Sequence, residues 1–396
     1  MTETSTALSL ETLRQQFPGL SNKAYFNYGG QGVLSRSTLD AIGRSFTQIQ
    51  QMGPFSGQSN AWVTAEIEQT RQAIAAELGA PASAITLTED VTVGCNIALW
   101  GIDWRFGDHL LLSDCEHPGI VAAARELERR FGIEVTTCPL QSTLNEGDPV
   151  AVVVNHLKPN TRLVGLSHIL WNTGQVLPLA EIAAACHSYS NSRPIFVLVD
   201  AAQSVGMLPL NLTELGVDFY AFTGHKWWCG PEGVGGLYVR PTVLEHLHPT
   251  FIGWRGITID TTGIPTGWKP DGRRYEVATS AYPLYAGLRA AIATHHQFGS
   301  TQERYQRIKA LSRSLWQQLA AVPGVVCLRH SPPQAGLVSF QVANHSHSKL
   351  VQFLEEQAVL TRTILNPDCV RACVHYFTLE AELERLVASV QSFLSA

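Results

Sequence analysis

The sequence predicts an α/β protein: a mostly parallel sheet covered by helices on both faces, followed by a smaller α+β unit. Three observations point there. From about residue 36 to 240, short apolar runs alternate with amphipathic helical periodicity, the pattern of strands buried on both faces. Residues 250–283 are rich in Gly, Thr and Pro and interrupt that alternation. A second, shorter alternation of strand and helix then runs to the C-terminus.

The elements follow in order. STLDAIGRSFTQIQQM and AWVTAEIEQTRQAIAAELG carry helical periodicity, and Gly79 closes the second. Strands are expected at DHLLLSD, EVTTC, RLVGLSH, IFVLVD, FYAFT and GGLYVR, with the helices GIVAAARELERRFG and LAEIAAACHSY between several of them. The 250–283 stretch reads as an irregular connection. Two long helices come next, PLYAGLRAAIATHHQF and QERYQRIKALSRSLWQQLAAV. VVCLRH, LVSFQV, VLTRTI and VRACVHYF then read as strands around the helices KLVQFLEEQ and EAELERLVASVQSFL. The expected organisation is an N-terminal segment 1–20 packing with the small domain, a large domain 21–283 and a small C-terminal domain 284–396. In open sheets of this kind ligands bind beyond the carboxyl ends of the strands, so chemistry is sought there.

Composition narrows the function. Hydrophobic residues make up 45% of the 396 and charged ones 15%, which excludes a disordered or fibrous chain. With a net charge of −5, nothing proposes nucleic acid or an anionic membrane as the main partner, and neither is expected. No apolar run approaches the roughly 20 residues that span a bilayer, and the polar, acidic N-terminus is unlike a signal peptide. The expected location is the cytoplasm. The eight cysteines form no Cys-x-x-Cys pair and read as buried reduced thiols. Among fourteen histidines, only His117, His168 and His225 fall at strand ends. His345-Ser346-His347 lies in a polar turn. Zinc is therefore a second reading, and no metal is expected.

Two strand ends carry the chemistry. Thr223-Gly224-His225-Lys226 directly follows FYAF, where a lone ammonium is expensive. Either the lysine snorkels to the surface, or its lowered pKa lets it form a Schiff base with an aldehyde, while Thr223 and His225 offer donors to a phosphate. IFVLVD ends in Asp200-Ala201-Ala202-Gln203, 26 residues before Lys226. Alone, such an aspartate is usually a helix cap. Paired with the lysine, it suits pyridoxal phosphate, whose ring nitrogen a buried carboxylate keeps protonated. Gln203 could then reach the phenolic oxygen.

These segments resemble the fold type I pyridoxal-phosphate enzymes of aminotransferase class V, the group that includes the cysteine desulfurases. The resemblance runs from Ala24-Tyr25-Phe26-Asn27 to Val370-Arg371-Ala372. It implies a seven-stranded sheet in the large domain, pyridoxal 5'-phosphate as cofactor, Lys226 as the Schiff-base lysine and Asp200 as the partner of the ring nitrogen. LTEDVTVGCN resembles the family's phosphate loop, which carries Thr92, with the Val91 or Val93 amide, onto the phosphate beside Thr223 and His225. Cys115-Glu116-His117-Pro118 implies His117 as the residue stacked on the ring. SHILWNTG implies Asn172 near the phenolic oxygen and the substrate carboxylate. RRYEVATSA implies that Thr279 reaches the phosphate of a neighbouring subunit, hence a homodimer. VRACVHYF implies Arg371 as the bidentate partner of the substrate α-carboxylate, and Arg362 on VLTRTI is a further anion-binding candidate.

In cysteine desulfurases a cysteine on a long mobile loop before that arginine attacks the substrate sulfur. Here only TRTILNPDC separates the strand from Val370-Arg371, and Cys369 sits two residues before Arg371, on the incoming strand. The sequence therefore looks like an L-cysteine/L-cystine C–S lyase. Such an enzyme releases pyruvate, ammonia and sulfide or cysteine persulfide, which supplies sulfur for iron–sulfur cluster assembly and an acceptor protein there. The alternative is a desulfurase or selenocysteine lyase that uses Cys369 and releases alanine.

Overall fold

The computed structural model describes residues 9–190 and 193–395. Fifteen strands are labelled in chain order: β1 (Ala24–Tyr25), β2 (Ile85–Thr88), β3 (His109–Ser113), β4 (Glu134–Cys138), β5 (Thr161–Ser167), β6 (Phe196–Asp200), β7 (Phe219–Thr223), β8 (Gly235–Val239), β9 (Ile257–Ile259), β10 (Pro265–Trp268), β11 (Val325–Cys327), β12 (Leu337–Val342), β13 (Val359–Leu360), β14 (Arg362–Leu365) and β15 (Asp368–Cys373).

The central sheet has seven strands in the order β2-β8-β7-β6-β5-β3-β4. Every neighbouring pair from β4 to β7 is parallel, whereas β8 runs antiparallel to both β7 and β2. The inner strands are buried along their whole length, and only the edge strand β4 is largely open. Apolar cores lie on both faces, as continuous hydrophobic strands require. β2, of sequence ITLT, was not among the expected strands. It is four residues long and half threonine, so it presents no apolar run, and pairing with β8 holds it at the sheet edge.

The helices obey their local signals. Ser56 caps the helix Gly57–Leu78, and Gly79 ends it in the left-handed conformation that glycine tolerates. Asp90 caps the helix Val91–Gly101 through the Val93 amide, and His117 caps Pro118–Phe131 through the Gly119 amide.

The C-terminal part builds a four-stranded antiparallel sheet, β11-β12-β15-β14. The helices Thr301–Ala320, His347–Glu356 and Glu380–Leu394 pack against its core. Leu13, Phe17 and Leu20 enter that same core. Arg14 pairs with Glu382 at 2.6 Å, and β1 pairs in parallel with β13. Two expectations change in detail. The 250–283 connection contains an antiparallel hairpin, β9–β10. VLTRTI is divided at Thr361, where the chain leaves β1 and joins β15. No helix among the described residues is long and apolar enough to cross a membrane.

Candidate active site

A cavity of about 290 Å³ opens where the two sheets meet, at the carboxyl ends of the central strands. β3 leads into His117, β5 ends at Ser167, β6 ends at Asp200 and β7 leads into Lys226. The helix Val91–Gly101 points its N-terminus inward, and β14 and β15 supply Arg362 and Arg371. This is the crevice predicted for an open α/β sheet.

Lys226 sits in the cavity wall. Burial pulls its pKa down to about 8; Arg371 and Arg362 push the same way, and Asp200 opposes them. Asp200 is buried and accepts the Ala202 amide at 2.9 Å. His225 Nδ1 is hydrogen-bonded to the Thr223 hydroxyl, and its pKa is lowered chiefly by burial and then by Lys226. His117 stands edge-on to Trp171, with centroids 5.8 Å apart, and burial lowers its pKa.

Arg371 is only 2% exposed. It donates through Nη1 to the Trp171 carbonyl at 2.8 Å, and its Nε is buried without a partner among the described residues. A buried guanidinium without a carboxylate is a site prepared for an anion. Gly29 makes room for it: a Cβ there would lie 2.9 Å from Arg371 Nη2.

The cavity thus brings together Val91, Thr92, His117, Asp200, Gln203, His225, Lys226, Arg362 and Arg371, with Thr223 behind His225. Three expected residues stand elsewhere. The Val93 amide is engaged by Asp90 at 2.9 Å, leaving Val91 and Thr92 at the helix mouth. Asn172 is not among the cavity's lining residues and donates to the Asn366 carbonyl at 2.9 Å. Thr279 lines a separate cavity with Thr88, Val93 and Phe251. Gln203 lines the site, but its amide also donates to the Gly29 carbonyl and accepts from the Trp227 indole.

Sequence reasoning missed Glu116 and Trp171. Glu116 is buried and bonds to Ser113 and Ser167 at the ends of β3 and β5, and burial lifts its pKa to about 7. The Cys-Glu-His-Pro string was the available signal, read only for its histidine. Trp171 lines the cavity through the same turn that holds Arg371.

The residues present fit pyridoxal phosphate. The cofactor needs an amine for its aldehyde, donors for its phosphate and a carboxylate for its ring nitrogen. The cavity offers Lys226, the helix mouth with Thr92 and His225, and Asp200. No cysteine lines it. All eight cysteines are free and buried. Cys369 lies inside β15, paired with Ile364 across a tight β14–β15 hairpin.

The chain is similar to several known proteins. A solved complex of the cystine C-S lyase C-DES with its reaction product cysteine persulfide is 53% identical, covers 95% of this chain and 99% of its own, and superposes with a TM-score of 0.93. A lysine-to-alanine variant of C-DES, with glycine covalently linked to the PLP cofactor, is also 53% identical with a TM-score of 0.94, covering 96% of this chain and 98% of its own. A cysteine desulfurase of Klebsiella pneumoniae is 31% identical over 355 residues, 84% of this chain and 83% of its own. The isopenicillin N epimerase of Streptomyces clavuligerus is 28% identical over 382 residues, 92% of this chain and 94% of its own. The family model for aminotransferase class-V matches residues 25–389. With that match over nearly its whole length, the chain belongs to the class-V aminotransferase family.

Proposed function

We propose that this protein is a pyridoxal-phosphate-dependent carbon–sulfur lyase that cleaves L-cystine, and also L-cysteine, by β-elimination. When bound, the cofactor supplies an electron sink that acidifies the substrate's Cα–H bond. Lys226, already shifted toward its neutral form by burial, takes the Cα proton on Nζ. Asp200 would keep the ring nitrogen protonated, and His117 would pack against the ring. Thr92, Thr223, His225 and the Val91 amide would hold its phosphate. Arg371 grips the α-carboxylate as a fork, and Arg362 meets the second carboxylate that cystine carries and cysteine lacks. The Cβ–S bond then breaks and its electron pair leaves with the sulfur. Water converts the remaining three-carbon fragment to pyruvate and ammonia. Cysteine persulfide is more acidic than hydrogen sulfide and leaves more easily, which favours cystine.

The observation that carries elimination over sulfur transfer to the enzyme is the state of Cys369. It is fully buried within β15, and burial lifts its thiol to about 12, whereas a sulfur nucleophile must be a thiolate that can reach the substrate. The persulfide complex of the 53%-identical C-DES supports the same reading. Product analysis decides: pyruvate with cysteine persulfide from cystine supports the lyase, and alanine as the main product overturns it.

The reading extends to a homodimer in which Thr279 serves the neighbouring subunit's phosphate. Phe251, 72% exposed, lines one cavity with that threonine, and this open apolar ring supports a second copy there. We also place the enzyme in the cytoplasm as a supplier of persulfide sulfur for iron–sulfur cluster assembly. The persulfide's transferable outer sulfur and the cysteine desulfurase relatives support this.

A further inference from the structure

We propose that His295 and His375 are positioning residues for Lys226: two imidazoles that hold the backbone immediately after the lysine and so set where its amine stands. The proposal rests on Lys226 being the cofactor lysine.

Lys226 is not on a strand. It follows β7 in a turn closed by the Cys229 amide on the Lys226 carbonyl at 3.0 Å, with Cys229 at φ 51°, a left-handed conformation unusual for a side-chain-bearing residue. Strand pairing does not hold such a turn; the Gly230 amide on the Gly224 carbonyl at 2.9 Å closes its base, and other segments of the chain hold its flanks. On one side the Gly32 amide donates to the His225 carbonyl at 2.7 Å. On the other, the two carbonyls that follow the lysine each accept from a buried histidine. His375 Nε2 meets the Trp227 carbonyl at 3.0 Å, and His295 Nε2 meets the Trp228 carbonyl at 2.7 Å.

A carbonyl only accepts, so Nε2 carries the proton in both rings and Nδ1 is the bare nitrogen. In His295 that nitrogen takes the Tyr376 hydroxyl at 2.9 Å, which links it to the residue next to His375. In His375 the bare nitrogen has no partner among the described residues. Burial keeps both rings neutral, pulling His375 down to about 3 and His295 well below its ordinary value. The donors are thus fixed in one tautomer.

The clamp also joins the two halves of the site. Trp227 packs into the core shared with the small sheet, Trp228 into the core of the central sheet. His375 lies four residues beyond Arg371 on the same segment. The segment that holds the carboxylate arginine therefore also holds the lysine turn, which keeps grip and base in register.

The test compares His375→Gln with His375→Asn in the holoenzyme, and the same pair at His295. A glutamine amide stands about where Nε2 stands; an asparagine amide is one methylene short. The glutamine variants should keep near-native kcat. The asparagine variants should lose roughly tenfold to a hundredfold in kcat with little change in KM. They should also move the pH midpoint of the visible band given by cofactor linked to Lys226. Glutamine and asparagine behaving alike in kcat and band midpoint at both positions would overturn the clamp. Should the asparagine variants not fold, the glutamine variants decide alone: a native band and kcat support the clamp, and a collapse of both overturns it. Near-native pyruvate release by Lys226→Ala overturns the reading of Lys226 itself, a result distinct from any failure of the histidine pairs.

Discussion

Arg362 and Arg371 stand directly opposite one another across the antiparallel strands β14 and β15. Among the described residues neither has a carboxylate partner, and Arg371 spends only one nitrogen on a carbonyl. Like charges placed opposite each other weaken a sheet. Two guanidiniums side by side at the cavity suit a substrate that carries two carboxylates.

Arg362→Gln should therefore leave the substrate-free protein as stable as the wild type or more so, by about 0.2–1 kcal/mol. The same change should raise KM for cystine more than KM for cysteine. Thermal unfolding without substrate and steady-state kinetics with both amino acids check it. An equal rise for both substrates removes Arg362 from recognition of the second carboxylate.

Arg371→Ala should raise KM strongly, because the carboxylate contact exists in both the ground and transition states. Arg371→Lys should rescue poorly, since a point charge cannot reproduce the fork. Amino-acid esters serve as the control: if they react as well as the free acids in the wild type, the fork is not the carboxylate's partner.

Lys226→Ala should abolish pyruvate release while the phosphate cradle still retains cofactor. In the wild-type apoprotein, the rate of cofactor linkage should rise with pH and level off near pH 8, because that is where burial places the loss of the lysine's proton. A lysine of ordinary pKa, 10.5, would keep rising well beyond. Rapid-mixing absorbance across a pH series distinguishes the two curves.

Cys369→Ser should leave cystine cleavage within about tenfold of the wild type, a difference of roughly 1.4 kcal/mol at most. Elimination needs a base, an electron sink and a good leaving group, and none of these is a thiol. Pyruvate and persulfide release by the variant measures it. Loss of all activity with cofactor still bound would favour the desulfurase alternative.

Acid should destabilise the fold before its surface carboxylates titrate. His168 and His375 are held at about 3 and His109 at about 4, each mainly by burial, against an ordinary 6.5. A group lowered on folding binds more protons when unfolded, so stability rises with pH through that window. The contribution is complete above about pH 6.5 and is lost as pH falls toward 4. Glu116, raised from 4.5 to about 7, works in the opposite sense and offsets about one proton of it. Unfolding temperature measured from pH 7 to 4 should fall, and replacing His168 with Phe should flatten the fall.

The alternation of apolar strands with helices, the Gly79 stop and the residues after β6 and β7 are local features, because periodicity, capping and strand-end polarity are written within a few residues. They sufficed to predict the α/β sheet, the crevice at its carboxyl edge, and Lys226 and Asp200 within it. β2 escaped because four residues, two of them threonine, carry no periodic signal, and only pairing with β8 makes them a strand. The rest was decided by packing between distant segments. Gln203 is joined to Gly29 across 174 residues, Arg371 to Trp171 across 200, and His375 to Trp227 across 148. The hairpin register sets Arg362 against Arg371, and a shift of one residue would have turned every side chain to the opposite face. Residue types and their local spacing thus named the chemistry of this site, but which groups face it was settled only when the two sheets closed on one another, since burial and register belong to the folded whole.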